Sequence, residues 1–181
     1  MPFVVPQFQG QNTVSMPRVN LAQTGEIVIR PARVGDVHGV STLINHYAAS
    51  NVMLPKGPQY LYMHIQDYMV MTAKDTEDQE CVIACGSLHV LWSDLAEIRS
   101  MAVHNECQRQ GLGRKLVSAL IERCRALDIP RVFVFTLTPH FFASCGFREC
   151  NRDTLPAVVW AECSKCPKFY HCDETSMMYD L

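Results

Sequence analysis

The stretch that most constrains this chain is the run Gln108–Gly113, which joins an apolar strand to a helix. The strand is predicted over residues 97–103, and the apolar spacing of a helix begins at Leu112. Two glycines, Gly111 and Gly113, permit backbone conformations that a β-carbon forbids and let a ligand approach the chain. Because the first free N–H groups of a helix attract anions, the run predicts either a cradle for a pyrophosphate or a loop that only needs flexibility.

Positive charge is local rather than general in this chain. Arg109, Arg114 and Lys115 lie in or just after the turn, where basic side chains strengthen an anion site. The whole chain has a net charge of -2 and a pI near 6.4. This balance argues against a nucleic acid or an anionic membrane as a partner held by bulk electrostatics.

The composition is that of one soluble globular domain. Its 181 residues are 48% hydrophobic and 19% charged, which allows a sizeable core. The sequence has neither an apolar run of roughly 20 residues that could span a membrane nor a signal-peptide pattern at its start. The nine cysteines are odd in number and most lie in apolar runs, which favours a reducing compartment. We therefore expect a cytoplasmic protein.

The order of the predicted elements gives an α/β (α+β) domain over residues 26–181, preceded by an extension over residues 1–25. The extension mixes Pro, Gln, Asn and Gly without a period, so we expect it to be mobile or loosely packed. The domain includes a cysteine-rich segment over residues 150–175. The predicted strands are 26–30, 81–84, 86–92, 95–103, 131–135 and 176–181, of which the second to fourth form an antiparallel meander.

Apolar residues at helical spacing predict the helices between these strands. The first follows Asp36, which we expect to cap it, and the second carries Leu61, Ile65, Tyr68 and Met69 on one face. A third helix is predicted over residues 112–127, and a short helical turn is predicted to open at Phe141-Phe142 and to end at Gly146-Phe147. The buried face of the third helix is predicted to consist of Leu116, Leu120, Ile121, Cys124 and Leu127.

Two motifs in this order resemble the GNAT superfamily of acetyl-CoA-dependent N-acetyltransferases. One is Met101-Ala102-Val103 followed by Gln108-x-x-Gly111-x-Gly113, and the other is the aromatic-x-x-x-Gly-Phe run from Phe142 to Phe147. The resemblance implies a mixed central sheet flanked by helices and acetyl-CoA as the co-substrate. It implies that backbone groups of the strand pair with the pantetheine arm and that N–H groups of the turn hold the pyrophosphate. The implied cofactor-binding residues are Met101, Ala102, Val103, Arg109, Gln110, Gly111, Leu112, Gly113 and Arg114.

A narrower resemblance is to the short form of N-acetylglutamate synthase, an amino-acid N-acetyltransferase that lacks an amino-acid kinase domain. The stretches that carry it are Cys85–Ser100, Leu54-Pro55-Lys56 and Arg131–Thr138. It implies acetylation of the α-amine of L-glutamate in arginine biosynthesis, by direct attack without a covalent acyl-enzyme. The expected partner is therefore a small-molecule amino-acid substrate, with no nucleic acid, no membrane and no catalytic metal. A homodimer stays open as the oligomeric state.

The resemblance also assigns roles around this acceptor. Glu97 matches the acid that serves as general base in many members of the superfamily, and the alternatives are a solvated glutamate or a partner for Arg99. Lys56 and Arg99 are the candidates to hold the substrate's carboxylates, although Arg99 could instead pair with Glu97. Many members have a tyrosine as acid where this chain has Phe141 and Phe142. The acid is therefore unassigned, with Ser144 or a water molecule as donors.

The cysteines near the C-terminal end allow several interpretations. Cys163 and Cys166 have the spacing of a zinc knuckle, and Cys172 supplies a third thiol, but a second well-spaced pair is absent. A structural metal, reduced thiols that pack a flap and an oxidisable pair are therefore all open.

Two further functions compete with glutamate acetylation. The same chemistry could serve another amine, such as glutamine, a polyamine or a protein lysine. Alternatively, the chain could be a catalytically inactive CoA-binding regulatory module, for which the missing tyrosine is the only indication. A carboxylated acceptor is favoured by Lys56 and Arg99, and catalysis is favoured by the presence of Glu97.

Overall fold

A computed structural model describes residues 16–19, 26–164 and 166–181. Within these ranges the chain forms one seven-stranded sheet in the order β1-β2-β3-β4-β5-β7-β6. Strands β4 and β5 are parallel and all other neighbours are antiparallel, which confirms the predicted mixed sheet. The strands are β1 Val28–Pro31, β2 Tyr68–Lys74, β3 Glu80–Trp92, β4 Leu95–Val103, β5 Arg131–Thr136, β6 Arg148–Glu149 and β7 Thr175–Asp180. The helices are α1 Val37–Ala48, α2 Pro58–His64, α3 Leu112–Ala126, α4 Pro139–Ser144 and α5 Trp160–Cys163.

The prediction that the second helix extends through Tyr68 and Met69 is wrong. Helix α2 ends at His64, a 3-10 turn follows, and the chain becomes extended at Tyr68. A short run of aromatic, β-branched and methionine side chains fits either period, and here tertiary pairing decides it. Strand β2 is hydrogen-bonded to β1 on one side and β3 on the other, so its backbone groups are satisfied along both edges.

The predicted break at Gly86 is also wrong, because β3 is one continuous strand of 13 residues. A β-carbon at Gly86 would lie 2.5 Å from Sδ of Met101 and 3.1 Å from Cδ1 of Leu120. The glycine therefore makes room for close side-chain packing rather than for a turn. The meander itself exists, but its three strands are β2, β3 and β4.

Helices cover both faces of the sheet. The first face packs against α3, whose Leu116, Leu120 and Cys124 are buried as predicted. Leu127, which was predicted to share that buried face, is exposed because it lies just beyond the end of the helix. The opposite face carries a core around α1 and α2 and a separate cluster that includes Leu95 and Phe133.

The predicted cap of α1 takes a different form in the structure. Asp36 precedes the helix, but its carboxylate accepts hydrogen bonds from the backbone N–H of Arg33 and from the guanidinium of Arg30 instead of capping the first turn. The ion pair joins β1 to the start of α1 at a distance of 2.6 Å.

Four residues of the predicted extension, 16–19, are described, and they contact the domain. The side chain of Val19 is buried in the α3 core, and its N–H donates to Glu106 at 2.7 Å. The carbonyl of Pro17 lies 2.9 Å from Nε2 of His104. The rest of the predicted extension lies outside the described residues. In the described ranges, the structure contains no helix with the length and apolar character to cross a membrane.

Candidate active site

The sheet opens between its two parallel strands. Strands β4 and β5 pair only at Ala96–Val132 and Glu97–Phe133, although β4 continues to Val103 and β5 to Thr136. Beyond these pairs, the two strands border a cavity of about 650 Å³. The edge of β4 that faces β5 is therefore available to pair with an extended ligand.

A bulge in β4 lies at the point where the strands part. Ser87 pairs with Arg99 and Cys85 pairs with Ala102, so two residues of β4 lie opposite Gly86 alone. Ser100, one of the two, has a φ of 52°. A bulge of this kind turns the backbone of one strand out of its regular ladder. It was not predicted, because the residues 99–102 read as an ordinary strand.

The glycine-containing turn Gln108–Gly113 lines the cavity where α3 begins. Arg109 and Gly111 have φ values of 61° and 78°, and α3 begins directly after them. The strain of a left-handed conformation is removed by glycine at one of these positions and is borne by Arg109 at the other. Both residues line the cavity, so free N–H groups and a guanidinium occur together at its mouth.

Gly113 and Arg114 connect this turn to α4. A β-carbon at Gly113 would lie 3.1 Å from Cζ of Phe141, which shows how closely α3 approaches α4. The guanidinium of Arg114 donates to the carbonyl and hydroxyl oxygens of Ser144 at 2.5 and 3.2 Å. The Ser144 hydroxyl donates to the carbonyl of Phe141 at 2.6 Å. Its proton is therefore engaged with a backbone carbonyl, and Ser144 does not line the cavity, which disfavours Ser144 as the acid.

The cavity brings together most of the predicted cofactor-binding residues. Three of the predicted residues do not line it: Gln110, Lys56 and Glu97. The predicted residues that do line it are Arg99, Met101, Ala102, Val103, Arg109, Gly111, Leu112, Gly113 and Arg114.

Glu97 and Arg99 form an ion pair beside the cavity. They lie two residues apart on one face of β4, and Nη2 of Arg99 is 2.5 Å from Oε2 of Glu97. Glu97 is only 6% exposed. Burial raises the pKa of its carboxyl, and the hydrogen bond and charge of Arg99 offset this only in part. Burial disfavours the charge on Arg99, but Glu97 outweighs that effect and raises the pKa of Arg99.

Lys56 is also paired with a carboxylate. Its ammonium lies 3.0 Å from Oε2 of Glu162 on α5 and 4.1 Å from the ring centre of Tyr60. Lys56 is 8% exposed, so its charge is held away from water. Glu162 also raises the pKa of both Glu97 and Arg99 through its charge, which places it near their ion pair. Two cations thus lie in this region, and each already holds a carboxylate: Arg99 holds Glu97, and Lys56 holds Glu162.

Sequence reasoning missed several polar groups of the cavity. The hydroxyl of Tyr47, a residue assigned only to the apolar face of α1, lies 2.5 Å from the carbonyl of Val103 and 2.8 Å from Nε2 of Gln108. On the opposite wall, the hydroxyl oxygens of Thr136 and Thr138 are 3.1 Å apart. Only tertiary structure brings these hydroxyls together, since helical periodicity and strand propensity place Tyr47 and Thr136 by packing alone.

Comparison with known proteins decides the family. Residues 42–147 match the model of the acetyltransferase (GNAT) family. This protein is a member of the GNAT family. It is 33% identical to an uncharacterised N-acetyltransferase of Chlorobaculum tepidum over 153 residues, which are 84% of this chain and 96% of that protein. It is 38% identical to an amino-acid acetyltransferase of Mycobacterium tuberculosis over 135 residues, which are 75% and 76% of the two chains.

A solved structure supports the same assignment. Rv2747 from Mycobacterium tuberculosis, in complex with CoA, superposes with a TM-score of 0.70 at 33% identity, covering 85% of this chain and 99% of that one. The protein is therefore an acetyl-CoA-dependent N-acetyltransferase, which argues against the inactive module. The cavity of this GNAT enzyme fits the co-substrate, because an open strand edge and apolar walls lead to a basic turn at a helix start.

The cysteine-rich segment of this GNAT domain packs on the sheet face that carries Leu95 and Phe133. Burial, together with the charges of Glu97 and Glu174, raises the pKa of Cys163 to about 11. Among the described residues, Cys163, Cys166 and Cys172 are not part of a group whose ligand atoms converge on one point. All three thiols are free in the structure, and the three interpretations of this segment stay predictions.

Proposed function

We propose that this enzyme acetylates the α-amine of L-glutamate, as an N-acetylglutamate synthase. The observation that carries the proposal is a pair of cations near the buried carboxylate of Glu97. Arg99, which is half-buried, pairs with Glu97 itself, and the buried Lys56 pairs with Glu162, whose charge acts on Glu97. Each cation is able to hold a carboxylate out of water, since each does so in the structure. A dicarboxylic amino acid supplies two carboxylates and one amine, which matches this arrangement.

The resemblance to the amino-acid acetyltransferase of Mycobacterium tuberculosis supports an amino acid as the acceptor. Polyamines and protein lysines are a poorer match, because they have no carboxylate beside the amine that Lys56 or Arg99 could hold. Lys56 and Arg99 therefore favour an acceptor with carboxylates, whereas membership of the GNAT family alone leaves the acceptor open.

In the proposed mechanism, Glu97 takes a proton from the ammonium group of the bound amino acid, directly or through a water molecule. Its raised pKa brings the carboxylate closer to the basicity that a general base needs near neutral pH. Arg99 keeps enough of the carboxylate ionised to accept that proton. Acetyl-CoA, when bound, supplies an acetyl group as a thioester. Backbone N–H groups at the bulge of β4 are fixed dipoles that would stabilise the negative charge developing on the carbonyl oxygen of the thioester.

L-Glutamine is the second candidate, and one contact favours it. If Glu162 stays on Lys56 when the acceptor binds, the side chain of the acceptor meets a pair whose charges cancel. An amide suits that environment better than a carboxylate, because a buried carboxylate without a cation is costly. For L-glutamate to bind, its side-chain carboxylate would have to replace Glu162 at Lys56.

The variant Lys56→Gln tests the proposal. Loss of the cation should raise the KM for L-glutamate by roughly tenfold or more, since one charge-assisted hydrogen bond contributes about 1.5–3 kcal/mol, and should leave the KM for acetyl-CoA unchanged. Lys74→Gln is the matched control, because Lys74, the last residue of β2, makes an exposed ion pair with Asp78. An unchanged KM for L-glutamate in Lys56→Gln would contradict the proposed acceptor site, and L-glutamine as the better substrate of the wild type would favour the second candidate.

A further inference from the structure

A cluster of two histidines and one aspartate lies behind the acceptor site, at the junction of α2 and β3. The cluster consists of His64, Asp67 and His89, and one ligand atom from each lies within 4.8 Å of those of the other two. It is formed by the last residue of α2, the 3-10 turn after it and the middle of β3. None of the three residues lines the cavity between β4 and β5.

Two of the three separations between the donor atoms match those around a tetrahedral metal ion. Nδ1 of His64 and Nδ1 of His89 lie 3.2 and 3.5 Å from the same atom, Oδ2 of Asp67. In a tetrahedral zinc site with bonds of about 2.0–2.1 Å, neighbouring ligand atoms are about 3.3–3.4 Å apart. The third distance, between the ligand atoms of the two histidines, is within 4.8 Å. The side chain of His64 is 37% exposed, so its ring has room to move toward His89.

The hydrogen bonds of Ser87 determine which nitrogen of His89 is free. The Ser87 hydroxyl has one proton, which it donates to the carbonyl of Arg99 at 3.1 Å. Its oxygen lies 3.0 Å from Nε2 of His89 and therefore accepts a proton from that nitrogen. In a neutral imidazole this leaves a lone pair on Nδ1, which faces the carboxylate of Asp67. Two acceptors that face each other repel unless a cation lies between them.

The basic residues near the cluster do not pair with Asp67, so its carboxylate is available to a metal ion. Lys56 and Arg99, the basic residues that act on His89, are each paired with a glutamate. Their charges are largely cancelled, so the cluster combines one carboxylate with two imidazole rings. Ser87 fixes the outer nitrogen of His89, as the outer-shell partners of metal-bound histidines do.

We propose that His64, Asp67 and His89 form a structural site for a divalent transition metal, with Zn²⁺ as the ion that best suits two imidazoles and one carboxylate. A water molecule would take the fourth position. The proposed role of the metal is structural, since no residue of the cluster lines the cavity that fits the co-substrate. It ties the end of α2 to β3, and α2 carries Tyr60, whose ring contacts Lys56.

Metal binding by tag-free, chelator-treated protein tests this site. The probes are Zn²⁺ followed by calorimetry and Co²⁺ followed by its visible spectrum. One equivalent should bind, with the visible bands of a tetrahedral Co²⁺ site and no charge-transfer band from a thiolate. His64→Ala should abolish this binding. His38→Ala, which removes an exposed histidine of α1, should leave it unchanged.

A second variant distinguishes a ligand from its support. Ser87→Ala should weaken binding by roughly 10- to 100-fold without changing the stoichiometry, because the outer partner of His89 is lost. The proposal is overturned if the wild type binds no metal, if His64→Ala binds as well as the wild type, or if a thiolate band shows that the cysteines hold the ion. In the first case, the contacts of Asp67 are hydrogen bonds to the histidines and nothing more.

Discussion

Single residues decide the chemistry of this site, and Glu97 with Arg99 is the main example. Their spacing on a strand predicts a shared face, but it does not tell whether they pair or act separately. The structure gives an ion pair at 2.5 Å, as one of the sequence alternatives allowed. Pairing and proton transfer are compatible, because burial still leaves the pKa of Glu97 above the usual range of a glutamate.

The variant Glu97→Gln tests the role of the base. In the wild type, kcat/KM should rise with pH as Glu97 loses its proton, and its raised pKa places that rise above the range of an ordinary glutamate. The variant should lose this limb and roughly 10²- to 10⁴-fold of the rate, as expected for a general base. Glu149→Gln, at an exposed glutamate of β6, is the control. A variant that keeps both the rate and the limb would remove Glu97 from the mechanism.

Glu162 gives a second prediction for a single residue, because its carboxylate forms an ion pair with Lys56. Glu162→Gln leaves Lys56 buried without its carboxylate, and the side chain of L-glutamate would supply a replacement. We expect a several-fold lower KM for L-glutamate and an unchanged KM for acetyl-CoA, measured by steady-state kinetics. The control is Glu122→Gln, at an exposed ion pair of α3. A higher KM for L-glutamate would show that Glu162 positions Lys56 instead of competing for it.

At the scale of elements, the candidate co-substrate site is the turn before α3 together with the gap between β4 and β5. The turn was predictable, because glycines after an apolar strand have a local sequence signature. The bulge at Ser100 and the strand β2 were not, since both depend on which strands become neighbours. Tyr68 and Met69 fitted a helical period, and only pairing along both edges of β2 shows that they belong to a strand.

The glycines of the chain allow a matched test of the turn. Gly111→Ala should lower the free energy of unfolding by about 1–2 kcal/mol, because alanine is strained at its φ of 78°, and should raise the KM for acetyl-CoA. Gly35→Ala is the control, since a β-carbon there meets no atom within 4 Å and its φ is not positive. Urea unfolding and steady-state kinetics measure the two effects. A Gly111→Ala enzyme with the stability and KM of the wild type would contradict the role of this turn.

At the scale of the whole molecule, the segment 150–175 packs beside the proposed acceptor site, where its Glu162 pairs with Lys56. Its cluster with Leu95 and Phe133 covers the second half of one sheet face, beside the core formed by α1 and α2. The charged groups around Glu97 lie near the junction of these parts. Sequence reasoning proposed the strand residues and Lys56 as site residues, but it missed Glu162, because no local pattern relates a glutamate of α5 to a lysine 106 positions before it.

The acceptor specificity is tested most directly by thiol release from acetyl-CoA over a panel of amines, with the product identified by mass spectrometry and NMR. The panel contains L-glutamate, L-glutamine, L-aspartate, a polyamine and a lysine peptide. We predict that L-glutamate has the highest kcat/KM and that the acetyl group is found on its α-amine. Preferred turnover of the polyamine or the peptide, or no turnover of any amino acid by protein that binds acetyl-CoA, would contradict the proposed function.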